Sequence, residues 1–424
     1  MPFSRTGVCF VILALITAFR VVEAVEPIRV PVPTGGSGQS VWDTSELFKS
    51  PATYPVTDDN LLPDSEIRPV FYEGEPYRGK PTRVFAWIGI PAQRNGKLPG
   101  IVLVHGGGGT AFRSWTKLWV DRGYAVIAMD TCGAMPATAK PNSPESKRHE
   151  FSGPSGWGGF RNVDEPVHDQ WMYHAVAAVI RAHSLLRSLP EVDPGRIGIA
   201  GISWGGIIME DAVGVDSRFK FAAPVYGCGF LGEDSYWHEH EMQDMGAAAA
   251  IKWLSLWDPS QYVCYADLPM LFCDGTNDKH FRLDSWQKTY RENKGASTLS
   301  LKIRMKHGHP PAGDPPEITV FADSMVRGGV PLPRFIQSGR EERRAWARYD
   351  AAVPIKEAKL RYTADHAAWV DRTWDTAPAE LRENEKSIEA ILPAGTTAYY
   401  LDLIDDRGCL VSTRHEEMTD PLRE

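Results

Sequence analysis

Two patterns of apolar residues alternate through the middle of this chain of 424 residues. Short continuous apolar runs are typical of strands buried on both faces, and longer stretches with apolar residues three and four apart are typical of helices. Strands are predicted over residues 83–90, 101–104, 124–129, 196–200, 219–226, 268–273 and 299–305. Helices are predicted over residues 112–122, 165–189, 283–293 and 317–326, with another opening at 207–212. This order predicts an α/β fold with a doubly wound, mostly parallel sheet.

Two long insertions interrupt this alternation, over residues 131–164 and 227–262. Both follow the ends of predicted strands, and both are rich in tryptophan or glycine. Ligands of parallel sheets bind at the carboxyl ends of the strands, so we expect the chemistry of this chain there. The insertions are predicted to form the walls of a pocket at that edge.

The pattern changes beyond residue 333, where a charged break is followed by short segments of alternating apolar and polar residues. Strands are predicted over residues 356–363, 386–391 and 397–404, the last before the turn Asp405-Asp406-Arg407-Gly408. Alternation with turn signals and no long helix predicts a small C-terminal β-sandwich domain over residues 334–424. It carries no catalytic pattern, and a packing or carbohydrate-contacting role is expected for it.

The N-terminus has the pattern of a secretory signal peptide over residues 1–24. Arg5 precedes an apolar run at residues 8–19, and small residues at Val22 and Ala24 suit a cleavage site. An uncleaved membrane anchor is the alternative, which Arg20 disfavours because it lies so close to the apolar run. We expect export to the medium or periplasm, no membrane span in the mature chain, and an irregular arm over residues 25–68 before the α/β region at 69–333.

Composition and charge limit the partners and ligands expected for this chain. The net charge of −8, with both signs interspersed, leaves no basic stripe and argues against nucleic acid. Of six cysteines, one lies in the signal, so an odd number remains. Cys228 and Cys264 could form a disulfide across an insertion, and the alternative is buried free thiols, as for Cys273 within its apolar strand. Neither a metal site nor a cofactor is predicted, since the pair His238 and His240 is weak evidence for zinc.

Residues 201–205, Gly-Ile-Ser-Trp-Gly, lie between a predicted strand and a predicted helix. A serine on such a tight turn is held with its hydroxyl exposed above the sheet, and the glycines allow the sharp bend. This context predicts a nucleophile elbow with Ser203 as the nucleophile, rather than an ordinary glycine-rich turn.

A nucleophilic serine needs a base, and the base needs an orienting acid. The predicted strand at 268–273 runs into Asp274-Gly-Thr-Asn-Asp278, and Asp278 is our candidate acid, with Asp274 as the alternative. The next strand runs into Lys-His307-Gly-His309. His307 is the preferred base because it is closer to the strand end, and His309 remains the alternative.

An oxyanion hole is predicted at His105-Gly-Gly-Gly-Gly109, directly after a buried strand. Glycines let backbone N–H groups approach a developing negative charge, and we assign this to Gly107 and Gly108 together with the backbone N–H of Trp204. A phosphate-binding loop is disfavoured because the lysine and hydroxyl residue that would end it are missing.

These four motifs, in this order, resemble the α/β-hydrolase superfamily over residues 69–328. Within it the chain looks most like the secreted bacterial acetylxylan-esterase and dienelactone-hydrolase-like group. The resemblance implies an α/β-hydrolase fold and hydrolysis of a small-molecule or carbohydrate ester through an acyl-enzyme on Ser203. The chain departs from dienelactone hydrolase itself, which has cysteine where this chain has Ser203.

Two other functions stay open at this point. The catalytic region also resembles serine peptidases of the prolyl-oligopeptidase type, although the hundred or so residues before His105 are too few for the propeller of that family. An inactive hydrolase fold used for binding is the third reading, and it is disfavoured because each expected catalytic part is present.

Overall fold

A computed structural model describes residues 26–34, 41–138, 145–309 and 311–418 of the chain. The signal peptide predicted over residues 1–24 therefore lies outside the described residues. In the described part, no helix combines the length and apolarity that crossing a membrane requires.

A nine-stranded sheet organises the first three quarters of the protein. Its strands run in the order β1-β2-β3-β5-β4-β8-β9-β10-β11, and the last six of these are parallel, as predicted. A small hairpin, β6-β7, lies in the first insertion. The bounds are β1 Thr53–Tyr54, β2 Ile67–Glu73, β3 Arg83–Gly89, β4 Leu98–Val104, β5 Ala125–Met129, β6 Ala134–Pro136, β7 Ser146–Arg148, β8 Val192–Ile202, β9 Ala222–Val225, β10 Met270–Gly275 and β11 Ser297–Lys302.

Strands β4, β5 and β10 are fully buried along their length. Both faces of a parallel sheet must be covered, which is why these strands are continuous apolar runs rather than alternating ones. The α-helices are α1 Thr44–Leu47, α2 Arg113–Asp121, α3 Trp171–Ser188, α4 Trp204–Val215, α5 Tyr236–Glu239, α6 Glu241–Met245, α7 Ala247–Trp257, α8 Leu283–Glu292 and α9 Pro316–Val326.

Helix α3 begins later than the predicted residue 165. Pro166 and Gln170 have extended backbones on either side of a single 3-10 turn, so a continuous helix cannot pass through them. The Gln170 side chain donates to the carbonyl oxygens of Val163 and Glu165, which fixes this entry. The strand predicted over 299–305 also ends early, at Lys302, because the chain turns at Arg304, where φ is +50°.

The segment predicted as an irregular arm is attached to the rest of the protein. The backbone N–H of Ile28 donates to the carbonyl of Gly232 at 2.7 Å, and Trp42 is buried against Tyr173. Strand β1 and the first residues of β2 also lie before residue 69. The sheet thus begins inside the segment assigned to the arm.

Two antiparallel sheets follow residue 333. One has four strands in the order β12-β13-β17-β16, and the other has the order β15-β14-β18-β19, with β20 paired to β18. That they form a separate β-sandwich domain stays a prediction. Their bounds are β12 Arg334–Glu341, β13 Arg344–Asp350, β14 Ile355–Thr363, β15 Asp375–Pro378, β16 Glu380–Arg382, β17 Ser387–Ile391, β18 Ala398–Asp405, β19 Leu410–Ser412 and β20 Glu416–Glu417.

The C-terminal strands pack against the outer edge of the large sheet. The backbone N–H of Leu301 in β11 donates to Ser412 Oγ at 3.0 Å, and the Tyr400 hydroxyl donates to the Leu301 carbonyl at 3.3 Å. The C-terminal region thereby covers the edge strand β11, which would otherwise expose unpaired backbone groups.

The described cysteines Cys132, Cys228, Cys264, Cys273 and Cys409 are all free. The disulfide considered between Cys228 and Cys264 is therefore not formed, and the alternative of free thiols holds. Cys228 lies fully buried in the core, where it acts as a small apolar side chain.

Candidate active site

Ser203 occupies the turn between the end of β8 and the start of α4, with φ at +57°. Its backbone N–H donates to the carbonyl of Val225 at 2.8 Å, which ties the turn to the end of the adjacent strand. Gly205 explains why the motif needs glycine: a Cβ there would lie 2.0 Å from the Val104 carbonyl oxygen. The backbone packing of helix on strand thus holds Ser203 at the edge of the sheet.

Asp278 lies in the loop after β10 and is 4% exposed. Its Oδ1 accepts hydrogen bonds from the backbone N–H groups of His280 at 2.7 Å and Phe281 at 2.9 Å. These two bonds fix the carboxyl group and leave Oδ2 to face another partner. That partner is His307, whose Nδ1 lies 2.5 Å away.

His307 follows β11 and connects the acid to the serine. Its Nε2 lies 3.0 Å from Ser203 Oγ, so the three side chains form a hydrogen-bonded chain. With Nδ1–H donating to Asp278, Nε2 is the free acceptor that faces the serine hydroxyl.

Tyr226, directly after β9, packs against the ring of His307. The two rings are stacked with centroids 4.3 Å apart, and the Tyr226 hydroxyl donates to the Lys306 carbonyl at 2.6 Å. The backbone of Tyr226 has φ at +67°, which is unusual for a residue with a Cβ. Sequence reasoning missed Tyr226, because a tyrosine at a strand end carries no signal of this contact.

The residues considered as alternatives, His309 for the base and Asp274 for the acid, lie outside this hydrogen-bonded chain. His309 packs between Phe112 and Trp115, with ring centroids 4.6 and 5.1 Å away, and its buried ring nitrogens make no hydrogen bond in the described structure. Burial lowers the pKa of His309 to about 4. Asp274 is fully buried at the end of β10, and burial, with the nearby Asp278, raises its pKa well above the ordinary value. The structure brings neither residue into hydrogen bonding with Ser203 or His307.

The glycine loop after β4 lies against the elbow. A Cβ on Gly106 would come within 3.1 Å of Ser203 Cβ, and one on Gly107 would lie 2.7 Å from Trp204 Cδ1. Gly108 has φ at +68° and open space around it. The residues assigned to the oxyanion hole, Gly107, Gly108 and Trp204, thus lie in one loop and on the turn that it touches. Side chains at Gly106 and Gly107 would prevent that approach.

His105 opens the same loop and is almost fully buried. Its Nδ1 donates to the Gly106 carbonyl at 2.9 Å, and its Nε2 lies 3.4 Å from Thr131 Oγ1. These contacts give His105 a structural role at the start of the glycine loop.

Both insertions place aromatic rings against Trp204, the residue after Ser203. The Trp204 indole contacts Trp237 and Trp253 of the second insertion and Phe160 of the first, with centroids 5.0, 6.4 and 5.8 Å apart. The Trp253 indole N–H donates to the Gly158 carbonyl at 2.7 Å, which links the two insertions. The insertions therefore meet beside the elbow, where the sequence predicted the walls of a pocket.

His280 lies beside His307, with ring centroids 4.6 Å apart, and its Nδ1 is buried without a hydrogen-bond partner in the described structure. Asp278, His280 and His307 each offer one potential ligand atom, and these atoms lie within 4.8 Å of one another. They are the residues of this site that could hold a metal ion. The pair His238 and His240 does not belong to this group. Each of the two rings donates a hydrogen bond to a backbone carbonyl instead.

Comparison with known proteins shows a match to one protein family. Residues 57–246 match the model of the acetyl xylan esterase family AXE1. An uncharacterized peptidase of Bacillus subtilis, YuxL, is 26% identical over 230 residues, which are 49% of this chain and 30% of the relative. The chain thus spans less than a third of the length of that curated relative.

Several solved structures are similar as well. An acetyl xylan esterase from Paenibacillus sp. R4 is 21% identical, with a TM-score of 0.49, over 63% of this chain and 88% of that one. Acetyl xylan esterase 1 from Thermoanaerobacterium sp. JW/SL YS485 is 17% identical, with the same TM-score and the same coverage of both chains. An acylaminoacyl peptidase of Pyrococcus horikoshii is 18% identical, with a TM-score of 0.45, over 62% of this chain and 42% of that one.

The strand order supplies independent evidence on the fold. Elbow, acid loop and base loop follow β8, β10 and β11, three parallel strands whose carboxyl ends share one edge of the sheet. The glycine loop follows β4, which is parallel to β8 and next to it. With the match to the acetyl xylan esterase family, this arrangement places the chain in the α/β-hydrolase superfamily.

Proposed function

We propose that this protein is a secreted serine hydrolase that cleaves carboxylic esters through an acyl-enzyme on Ser203. The observation that carries the proposal is the hydrogen-bonded chain from Ser203 Oγ through His307 to Asp278. A serine hydroxyl is a weak nucleophile by itself, and this chain supplies a base at 3.0 Å from its oxygen.

In the proposed mechanism Ser203 Oγ attacks the ester carbonyl while His307 Nε2 takes the hydroxyl proton. His307 then returns that proton to the leaving alcohol, and the acyl group stays on Ser203. Water, activated by the same histidine, attacks the acyl-enzyme and releases the acid. Asp278 remains ionised, fixes the histidine tautomer through Nδ1–H, and stabilises the imidazolium that forms in each half-reaction.

The negative charge that develops on the carbonyl oxygen needs donors at the same edge. The backbone N–H of Trp204, directly after the nucleophile, is one proposed donor, and the loop at Gly107 and Gly108 supplies the other. Fixed backbone dipoles of this kind need no reorganisation during the reaction, and losing one typically costs about 10²–10³ in kcat.

Acetyl and other short acyl esters, carried on carbohydrate, are the substrates we propose. The match of residues 57–246 to the acetyl xylan esterase family supports this choice. Rings of Trp204, Trp237 and Phe160 pack together at the elbow, and aromatic faces suit a sugar ring or an apolar acyl group. Secretion through a signal peptide at residues 1–24 would bring the enzyme to polymeric substrates outside the cell.

A serine peptidase is the second candidate, favoured by the relative from Bacillus subtilis that is named as a peptidase. The same serine, histidine and aspartate would serve amide hydrolysis. An inactive binding protein is a third reading, which the hydrogen-bonded chain at Ser203 disfavours.

The first experiment is covalent labelling with a fluorophosphonate probe. We expect rapid labelling of the wild-type protein and none of Ser203→Ala, whereas Ser300→Ala, a change at a serine in β11, should label normally. Folded wild-type protein that resists the probe would favour the binding reading.

A substrate panel then separates esterase from peptidase. Acetate release from acetylated xylan, and faster hydrolysis of nitrophenyl acetate than of the octanoate, are expected. Cleavage of aminoacyl-anilides in preference to all esters would contradict the esterase proposal.

A further inference from the structure

His280 has no evident task in the proposed ester hydrolysis. Its backbone N–H supports Asp278, but its ring lies against His307 and has a buried Nδ1 without a partner in the described structure. An unpaired buried polar atom has a cost in free energy of about 1–3 kcal/mol, which a ligand bound at this nitrogen would remove.

The His280 ring belongs to a group of potential metal ligands. The ligand atoms of Asp278, His280 and His307 lie within 4.8 Å of one another, two imidazoles and one carboxylate in all. Zinc takes such sets at about 2.0–2.2 Å per bond and keeps a fourth position for water. A common ion would have to draw these three donors together from their present spacing of up to 4.8 Å.

We propose that Asp278, His280 and His307 form a binding site for Zn²⁺ and that the bound ion keeps His307 from activating Ser203. The inhibitory part of this proposal rests on the proposed role of His307 as base. The binding of the ion does not.

Binding of the ion to either ring nitrogen of His307 would stop this histidine from acting as the base. Neutral imidazole carries one ring proton. If the metal takes the lone pair of Nδ1, that proton sits on Nε2, which then donates to Ser203 Oγ and cannot accept its proton. If the metal takes Nε2, the serine hydroxyl loses its acceptor directly. The protein groups reach this state without any covalent change, so chelation of the ion should reverse it.

Two arms test the site. The first follows the rate of fluorophosphonate labelling against free Zn²⁺, with Mg²⁺ as the hard-cation control. We expect Zn²⁺ to slow labelling of the wild-type protein, EDTA to restore it, and Mg²⁺ to have no effect. In His280→Gln the Zn²⁺ concentration for half-inhibition, relative to its own metal-free rate, should rise by about tenfold or more. His366→Gln, at an exposed histidine of the C-terminal region, should behave as wild type.

The second arm measures Zn²⁺ binding by calorimetry on Ser203→Ala, which keeps all three donors and needs no activity. One ion per chain should bind, and the double variant Ser203→Ala/His280→Gln should lose it; His280→Asn serves if the glutamine variant does not fold. The proposal is overturned if no Zn²⁺ binds Ser203→Ala, or if binding or inhibition is the same without His280, as it would be for an ion held by the free thiols. A wild type that never labels would refute the proposed function, while calorimetry would still decide on the metal site.

Discussion

The side-chain amide of Asn277 donates a hydrogen bond to the backbone carbonyl of Arg372 at 2.7 Å. The same nitrogen also lies 3.2 and 3.0 Å from the carbonyl oxygens of Trp369 and Val370. Asn277 directly precedes Asp278, so the loop that carries the proposed acid is attached to the C-terminal region. That region is thus part of the support of the site.

Asn277→Ala should therefore lower both stability and activity. It removes the hydrogen bonds that the amide donates to these backbone carbonyl groups, which we expect to reduce the free energy of unfolding by about 1–3 kcal/mol. A looser acid loop should also lower kcat at nearly constant KM. Denaturant unfolding and steady-state kinetics measure the two effects, and Asn95→Ala, at an exposed turn, is the control. Unchanged kcat in a destabilised Asn277→Ala would show that the contact is structural only.

The choice between the two histidines is open to a direct comparison. His307→Ala should lower kcat/KM by a factor on the order of 10⁴ or more, because the serine loses its base. His309→Ala should lower it much less, since its ring only packs against Phe112 and Trp115. Esterase assays on both variants decide the matter, and an inactive His309→Ala beside an active His307→Ala would reverse our assignment.

Tyr226→Phe tests how the base is held. The stacked ring remains, but the hydroxyl bond to the Lys306 carbonyl is lost, and we expect a fall in kcat of about fivefold from about 1 kcal/mol of lost positioning. Tyr226→Ala removes the ring as well and should cost considerably more. If kcat stays at the wild-type value in Tyr226→Phe, the hydroxyl does not position His307.

Glu210 and Asp211 in α4 are fully buried, and their carboxyl oxygens have no partner in the described structure. Burial, with the nearby Asp258, raises the pKa of both well above the ordinary value. The folded state therefore holds protons that the unfolded chain releases near pH 4. Their stabilising effect is full below that pH and is lost as pH rises toward the folded pKa.

Glu210→Gln removes one of the carboxyl groups that bind a proton in the folded state and release it on unfolding. Relative to wild type it should gain up to about 1.4 kcal/mol of unfolding free energy per pH unit between pH 5 and the folded pKa. Chemical denaturation across pH 5–8 measures this slope, and Glu150→Gln at an exposed position provides the baseline. Parallel curves for wild type and Glu210→Gln would mean that Glu210 is ionised in the folded state.

The sequence predicted the α/β core well because fully buried strands have a strong signature. Strands β4, β5 and β10 were found close to their predicted positions, and the elbow lies where residues 201–205 predict it. Local pattern favoured His307 only by its shorter distance from the strand end and left His309 open, since both follow the same strand. Their separation depends on the turn at Arg304 and on packing against α2, which lies far away in the chain.

Contacts between distant segments were beyond prediction for the same reason. Neither the bond from Asn277 to Arg372 nor the stacking of Tyr226 on His307 leaves a periodic signal in the chain. The backbone of His280 supports the loop that carries Asp278. The position of its ring becomes visible only when β10 and β11 lie side by side.

The positive φ of Ser203 lowers the stability of the fold at the residue that the proposed activity requires. A side chain in this backbone conformation has a cost of about 1–3 kcal/mol, and glycine would avoid it. The unreactive variant Ser203→Gly should thus be more stable than the wild-type protein. Selection for stability alone would remove the serine, so its presence in a strained turn is itself an argument that the hydroxyl is used.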